Sequence, residues 1–287
     1  MFEQKKITYK MKLLSSLAKV FQDEEPVYQM ECQTLSALWG ETVSFQAAYT
    51  GDFFMRERLD VEVVSPLKDY IRVRTVEQVP VGRATNGIVD DNYLRTEPGL
   101  YPDLLRDVKG GKVIVCSNQW RSLWIDIEVT KDIAPGNYEI EVRLKKEGDV
   151  VASAKQRLTV IGVELPKQKI MHTEWMHADC LADYYHVDVF SEEHWKILEN
   201  YFKEYVKRGC NMMLTPLFTS PLDTAVGLER TTTQLIKVEV VKGEYRFDFS
   251  KLKRWIDLCK KCGIEYYEMS HLFSQWGAKY APKVVAE

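Results

Sequence analysis

The chain has 287 residues, 45% hydrophobic and 28% charged, ordinary values for a globular protein and enough chain for two domains. A net charge of −3, with 39 basic residues scattered and forming no stripe, excludes an electrostatic nucleic-acid binder. No segment approaches the roughly 18 apolar residues of a membrane span.

The opening "MFEQKKITYKMKLLSS" lacks an apolar run of signal-peptide length, so a cytoplasmic protein is expected. The six cysteines then read as reduced thiols. From there to about residue 160 the sequence alternates with the period of strands that have one wet face. "TVSFQAAYTG", "LDVEVVSP" and "IRVRTVEQV" behave this way. In "RSLWIDIEVT", Leu123, Ile125, Ile127 and Val129 share a side. In "NYEIEVRLKK", Tyr138, Ile140, Val142 and Leu144 oppose Glu139, Glu141, Arg143 and Lys145. "EGD" at 147–149 turns that strand back on "VVASAKQRLTV" as a hairpin. Six or more short strands with turn chemistry between them predict an antiparallel β-sandwich over residues 1–164. The stretch 81–111 breaks the pattern and reads as a long loop.

Past Pro166 the rhythm changes, and residues 165–287 form a second domain. "KIMHTEWMH" reads as a buried strand. "SEEHWKILENYFKEYVKRG" is an amphipathic helix with Ser191 as N-cap, Gly209 as stop and an apolar stripe of Trp195, Leu198, Phe202 and Tyr205. "NMMLTPLF" is a second buried strand, "QLIKVEVVKGEYRFDF" a hairpin, "SKLKRWIDLCKKCG" a helix opened by Ser250, and "IEYYEMSHLF" a third buried strand. Such alternation predicts parallel βαβ units. No glycine-rich phosphate turn follows the strands, which speaks against a nucleotide-binding fold. A (β/α)8 TIM barrel needs about 250 residues and eight such units. The second domain has room for about three, so an incomplete barrel is expected.

The stretches "HTEWMHADCLADYYHVDVFSEEHW", "NMMLTPLFTSPLDT" and "YRFDFSKLKRWIDLCKKCGIEYYEMSHLFSQWGAKYAPKV" resemble the opening of the catalytic barrel in glycoside hydrolase family 123 and its wider group of uncharacterised bacterial relatives. "GLYPDLL" and "LWIDIEVTKDIAPGNYEIEV" resemble that group's leading β-sandwich. The resemblance implies an exo-acting β-N-acetylgalactosaminidase working by substrate-assisted retention. The acetamido oxygen of the sugar attacks the anomeric carbon, an Asp orients that group, and the adjacent Glu acts as acid and then base. This departs from the usual two-carboxylate scheme. The only Asp-Glu step here is Asp23-Glu24, far upstream in the sandwich. No catalytic residue is therefore carried over, and the chain alone is expected to be inactive.

Barrel sites gather at the C-terminal ends of the strands, and that rule picks the candidates for binding a glycan substrate. Trp175, His177 and Asp179 follow the first strand, offering a ring face and hydroxyl acceptors. The competing reading makes Trp175 core and His177 and Asp179 a loop pair. Asp223 follows the second strand; in the competing reading it pairs with Arg230 to pin the loop. Glu268, His271 and Trp276 lie on or after the third, and Glu268 on an apolar strand needs a partner.

His172, His177, Asp179 and Cys180 could form a metal set, but positions 172 and 177 have opposite parity on a strand. Cys259 and Cys262 form a lone C-x-x-C inside a helix. No metal and no cofactor is expected. Two further readings stay open: a non-catalytic carbohydrate-binding or assembly module that uses the 81–111 loop, and a hydrolase of other glycans on the same barrel. The exposed sheet edges of an unclosed barrel predict self-association.

Overall fold

In the first unit, period-2 alternation becomes two packed sheets. The computed structural model describes residues 7–26, 34–52, 56–220, 228–273 and 277–287. It divides into two compact units, Met1–Pro166 and Lys167–Glu287. Among the described residues the first unit holds ten strands. They are β1 (Thr8–Ser15), β2 (Thr34–Trp39), β3 (Thr42–Asp52), β4 (Glu57–Val64), β5 (Ile71–Val81), β6 (Gly99–Asp107), β7 (Lys112–Val115), β8 (Arg121–Glu128), β9 (Gly136–Lys146) and β10 (Asp149–Glu164). One sheet has the order β1-β3-β8-β5-β6, the other β2-β10-β9-β4-β7.

The inward residues of both sheets meet in a single core. Phe45, Leu123, Ile125 and Ile127 come from the first sheet, and Leu59, Ile140, Val142, Leu144 and Leu158 from the second. All nine are fully buried, each contributing about 1.5–3 kcal/mol of apolar burial. The β9–β10 hairpin turns at Glu147 (φ 53) and Gly148 (φ 97), the two left-handed residues that a tight hairpin requires.

Two features depart from the sequence reading. The sandwich is not wholly antiparallel, because β2 runs parallel to β10, Thr34 opposite Arg157. Alternation reports which face a residue takes but is blind to the direction of its neighbour. The stretch 81–111 is also not all loop. Residues 99–107 form β6, paired antiparallel with β5. Its Pro102 lies on an edge strand beside a register shift opposite Glu77 and Gln78, where a missing N–H costs little.

The second unit contains α1 (Ala178–Tyr185), α2 (Glu192–Lys207), β11 (Met212–Thr215), β12 (Lys237–Val241), β13 (Glu244–Asp248), α3 (Ser250–Cys262) and β14 (Tyr266–Met269). β11 and β14 pair in parallel across α3, with Leu214 beside Glu268. The Ser191 hydroxyl accepts from His194 N–H at 3.2 Å and starts α2. β12 and β13 form the expected hairpin through Lys242 (φ 53) and Gly243 (φ 85). Trp195, Leu198, Phe202, Met213, Trp255 and Cys259 build the core, with Phe202 edge-on to Trp255 at 5.0 Å.

Here too the structure corrects details. Residues 170–176 form no ladder; backbone bonds from Asn211 N–H and Met212 N–H to His172 O, both at 3.1 Å, and side chains hold them. Asn211 Oδ1 accepts from His172 N–H at 2.8 Å, and the Tyr205 hydroxyl accepts from Glu174 N–H at 2.8 Å. Two parallel strands therefore stand where three were expected. The N-cap position of α3 is Phe249, and the Asp248 carboxylate just before it accepts from Ser250 N–H at 3.0 Å and Ser250 Oγ at 2.6 Å. Ser250 itself is the first helical residue. Among the described residues no helix is long and apolar enough to cross a membrane.

Candidate functional site

The parallel pairing of β11 and β14 sets two polar clusters at the C-terminal ends of these strands. The first joins three residues picked singly from the sequence. Glu268, on β14, accepts from the Trp175 indole N–H at 3.1 Å. Its other oxygen lies 3.6 Å from His271 Nε2. The Trp175 and His271 rings pack edge to face, 5.4 Å between centroids. Glu268 thus has the partners that a half-buried carboxylate needs. Trp175 remains 45% exposed. Its core alternative fails on that exposure. His271 Nδ1 is buried with no hydrogen-bond partner.

The second cluster centres on Asp179. Helix α1 begins after His177 and puts Asp179 in its first turn, where the sequence reading had placed a strand end. Asp179 is buried and takes a two-point ion pair from Arg230, Nε to Oδ2 at 2.6 Å and Nη2 to Oδ1 at 3.0 Å. Next to it, Thr231 Oγ1 donates to Asp183 at 2.9 Å. These bonds fasten the loop after β11 to α1. His177 lines the adjoining cleft with Leu214, Pro216, Arg230 and Ser270. Both oxygens of the Asp179 carboxylate are thus engaged by the guanidinium. The pairing that the sequence suggested for Arg230 lies partly outside the described residues, as do Asp223 and Trp276.

The metal set comes apart. His172 Nδ1 faces Gly209 O at 3.3 Å and Nε2 faces Glu174 at 3.1 Å, while Cys180 Sγ accepts from Arg230 at 3.3 Å. Among the described residues no group of three or more His, Cys, Asp or Glu side chains is arranged to hold a metal ion. Cys259 and Cys262 lie in α3, and burial pushes both thiols up, away from the thiolate a metal would need.

Sequence reasoning missed Tyr205 as a hub. Its hydroxyl lies 2.8 Å from Glu174 O and 2.7 Å from Met212 O, tying the segment that carries Trp175 to α2 and β11. A polar tip closing an apolar helix stripe was the only signal.

The Asp23-Glu24 step sits in the first unit. Arg95 bonds Asp23 at 2.7 and 3.0 Å and lies 3.2 Å from Glu24, and the guanidinium holds the Asp23 carboxyl below its usual range. It is a loop fastening.

Residues 175–287 match the family described as glycoside hydrolase 123, catalytic domain. The resemblance read from the sequence holds over that stretch. Among solved structures, a family 123 glycoside hydrolase from Clostridium perfringens, studied for glycolipid glycan hydrolysis, superposes with a TM-score of 0.68 at 18% identity. The alignment covers 90% of this chain and 46% of that one, so the chain spans about half the length of the structure it matches. A β-glucosidase from Listeria innocua aligns over 55% of this chain and 17% of its own, at 11% identity and a TM-score of 0.26, too low to carry an argument. No curated protein matches the sequence.

Proposed function

We propose that these residues are the leading part of a glycoside hydrolase that removes a terminal β-linked N-acetylgalactosamine with substrate-assisted retention. The second unit is then the start of a barrel, and residues 1–164 and 165–287 are its sandwich and catalytic domains. The observation that carries the reading is the Trp175–Glu268–His271 cluster at the ends of two parallel strands, inside the stretch matched by the family. Trp175 offers an apolar ring to the sugar's C–H face, Glu268 fixes the indole edge, and His271 adds a hydrogen-bonding edge. His177 contributes from the neighbouring cleft, which Asp179 and Arg230 also line.

In this reaction the acetamido oxygen displaces the aglycone at the anomeric carbon and an oxazoline forms. An acid protonates the leaving oxygen, and water activated by the same group then reopens the ring. The Asp-Glu pair for those proton transfers is absent from residues 1–287, so the chain by itself binds sugar without turning it over.

The test is release of chromophore from a β-N-acetylgalactosaminide by the full gene product, with Trp175→Ala as the internal control. Loss of one stacking ring is expected to weaken binding about tenfold. Turnover of some other glycan only, with no N-acetylhexosaminide cleaved, overturns the substrate and leaves the fold untouched.

A further inference from the structure

The open side of the sandwich holds a feature that the reading above does not use. β6 and β7 are the edge strands of their two sheets, joined by the turn Lys109–Gly111. Between the sheets at this edge is a cleft of about 370 Å³, within the range of small-ligand sites. Five cations line it: Arg58, Arg106, Lys109, Lys112 and Arg121. Two carboxylates share it. Asp107 is gripped at 2.8 and 3.1 Å by Arg72, and Glu77 takes the Thr75 hydroxyl at 2.7 Å. Lys112 has Asp60 at 3.5 Å. Among the described residues Arg58, Arg106, Lys109 and Arg121 have no ion-pair partner.

Arg121 is the unusual member. It sits opposite Tyr49 in the β3–β8 register, and Tyr49 is a core residue only 2% exposed, so the two side chains share the inward face. Arg121 Nε is buried without a hydrogen-bond acceptor. The Tyr49 hydroxyl, at the floor of the cleft, reaches Ile114 O only at 3.4 Å. A half-buried guanidinium whose inward Nε has no acceptor is costly, and a planar oxyanion is a partner it fits.

We propose that this cleft binds the oxyanion of an acidic saccharide, a carboxylate or a sulfate ester, with Arg121 as the buried anchor and Arg58, Arg106 and Lys109 as the rim. That the anion is carried by a saccharide rests on the glycan reading above; the anion site does not. The sandwich then selects a charged residue on the glycan, separately from the sugar that is cleaved.

Isothermal titration of residues 1–287 with a sulfated disaccharide, a uronic-acid disaccharide, their neutral counterpart and inorganic sulfate tests this. At least one acidic disaccharide is expected to bind about tenfold or more tighter than the neutral one, and more weakly as salt rises. Arg121→Gln is expected to cost about tenfold in that affinity, and Arg121→Lys less, with no fall in Tm. If Arg121→Gln does not fold, the Arg58→Ala/Arg106→Ala pair gives the same comparison from the rim. Unchanged affinity in these variants, equal binding of neutral and acidic sugars, or binding of inorganic sulfate alone overturns the proposal. Acidic-sugar binding by a full gene product that cleaves no glycoside would overturn the glycosidase reading and spare this one.

Discussion

The two units bury their apolar residues in different ways. In the sandwich every strand of the central layers has a neighbour on both sides, and Leu123, Ile125 and Ile127 are shut between two sheets. In the second unit the core is built mainly by helices around Trp255, while β11 and β14 form a two-stranded sheet with Tyr266 and Met269 exposed. A sandwich closes on itself, whereas a βαβ layer needs more strands or another surface before its sheet is covered. Closure is thereby divided unequally: the first unit shuts its core between two sheets, and the second leaves part of its sheet uncovered.

The comparison can be broken most directly in the two cores. Phe45→Ala in the sandwich and Trp255→Ala in the second unit are each expected to cost about 3–5 kcal/mol, read from urea unfolding. Because the cores are separate clusters, each variant should move its own transition. A single shift common to both units would erase the distinction.

Next comes the buried ion pair. Asp179→Asn leaves a charged Arg230 with a side chain only 9% exposed, and about 3–5 kcal/mol is the expected loss. The Asp179→Leu/Arg230→Met double variant should recover most of it, since two apolar residues need no partner. No recovery would mean that Arg230 is held for another reason.

Hydrogen exchange sharpens the contrast. Amides of β8, flanked on both sides, should approach global protection, and those of β14 should exchange at least tenfold faster. Light scattering is expected to show residues 1–287 self-associating through the second unit. A monodisperse monomer with uniform protection across 167–287 would contradict both.

The smallest effect is a pH slope. His194 is fully buried, donates from Nε2 to Ala178 O at 3.0 Å and accepts from Phe190 N–H at 2.8 Å through Nδ1, so the neutral ring fits. Burial lowers its pKa below the usual 6.5. The unfolded chain then takes up the proton first. Stability from this group is complete above about pH 6.5 and declines as pH falls through the lower folded value. His194→Gln should flatten that part of the curve in unfolding measured from pH 7 downward.

What was legible in the sequence follows the same division. The sandwich strands announce themselves because a half-buried strand must alternate, and Ile140, Val142 and Leu144 point inward as read. The parallel partner of β2 and the edge strand β6 were hidden, one because alternation has no direction, the other because Pro102 and its polar surroundings resemble a loop. In the second unit the rule for strand ends found Trp175, Glu268 and His271 one by one, yet their contact spans 93 residues and no spacing reports it. Asp179 was read as following a strand, and the short helix α1 that carries it in its first turn went unread.

The β2–β10 pairing has a consequence for synthesis. While the polypeptide leaves the ribosome, β2 has no hydrogen-bonding neighbour until the final strand of its unit emerges, and its Leu35, Ala37 and Trp39 face lies bare meanwhile. Closing that pair joins segments remote in sequence, which places the sandwich among slow folders, on the millisecond-to-second scale. Throughout that interval the nascent chain presents an open β-edge, the surface to which chaperones and stray neighbouring chains bind.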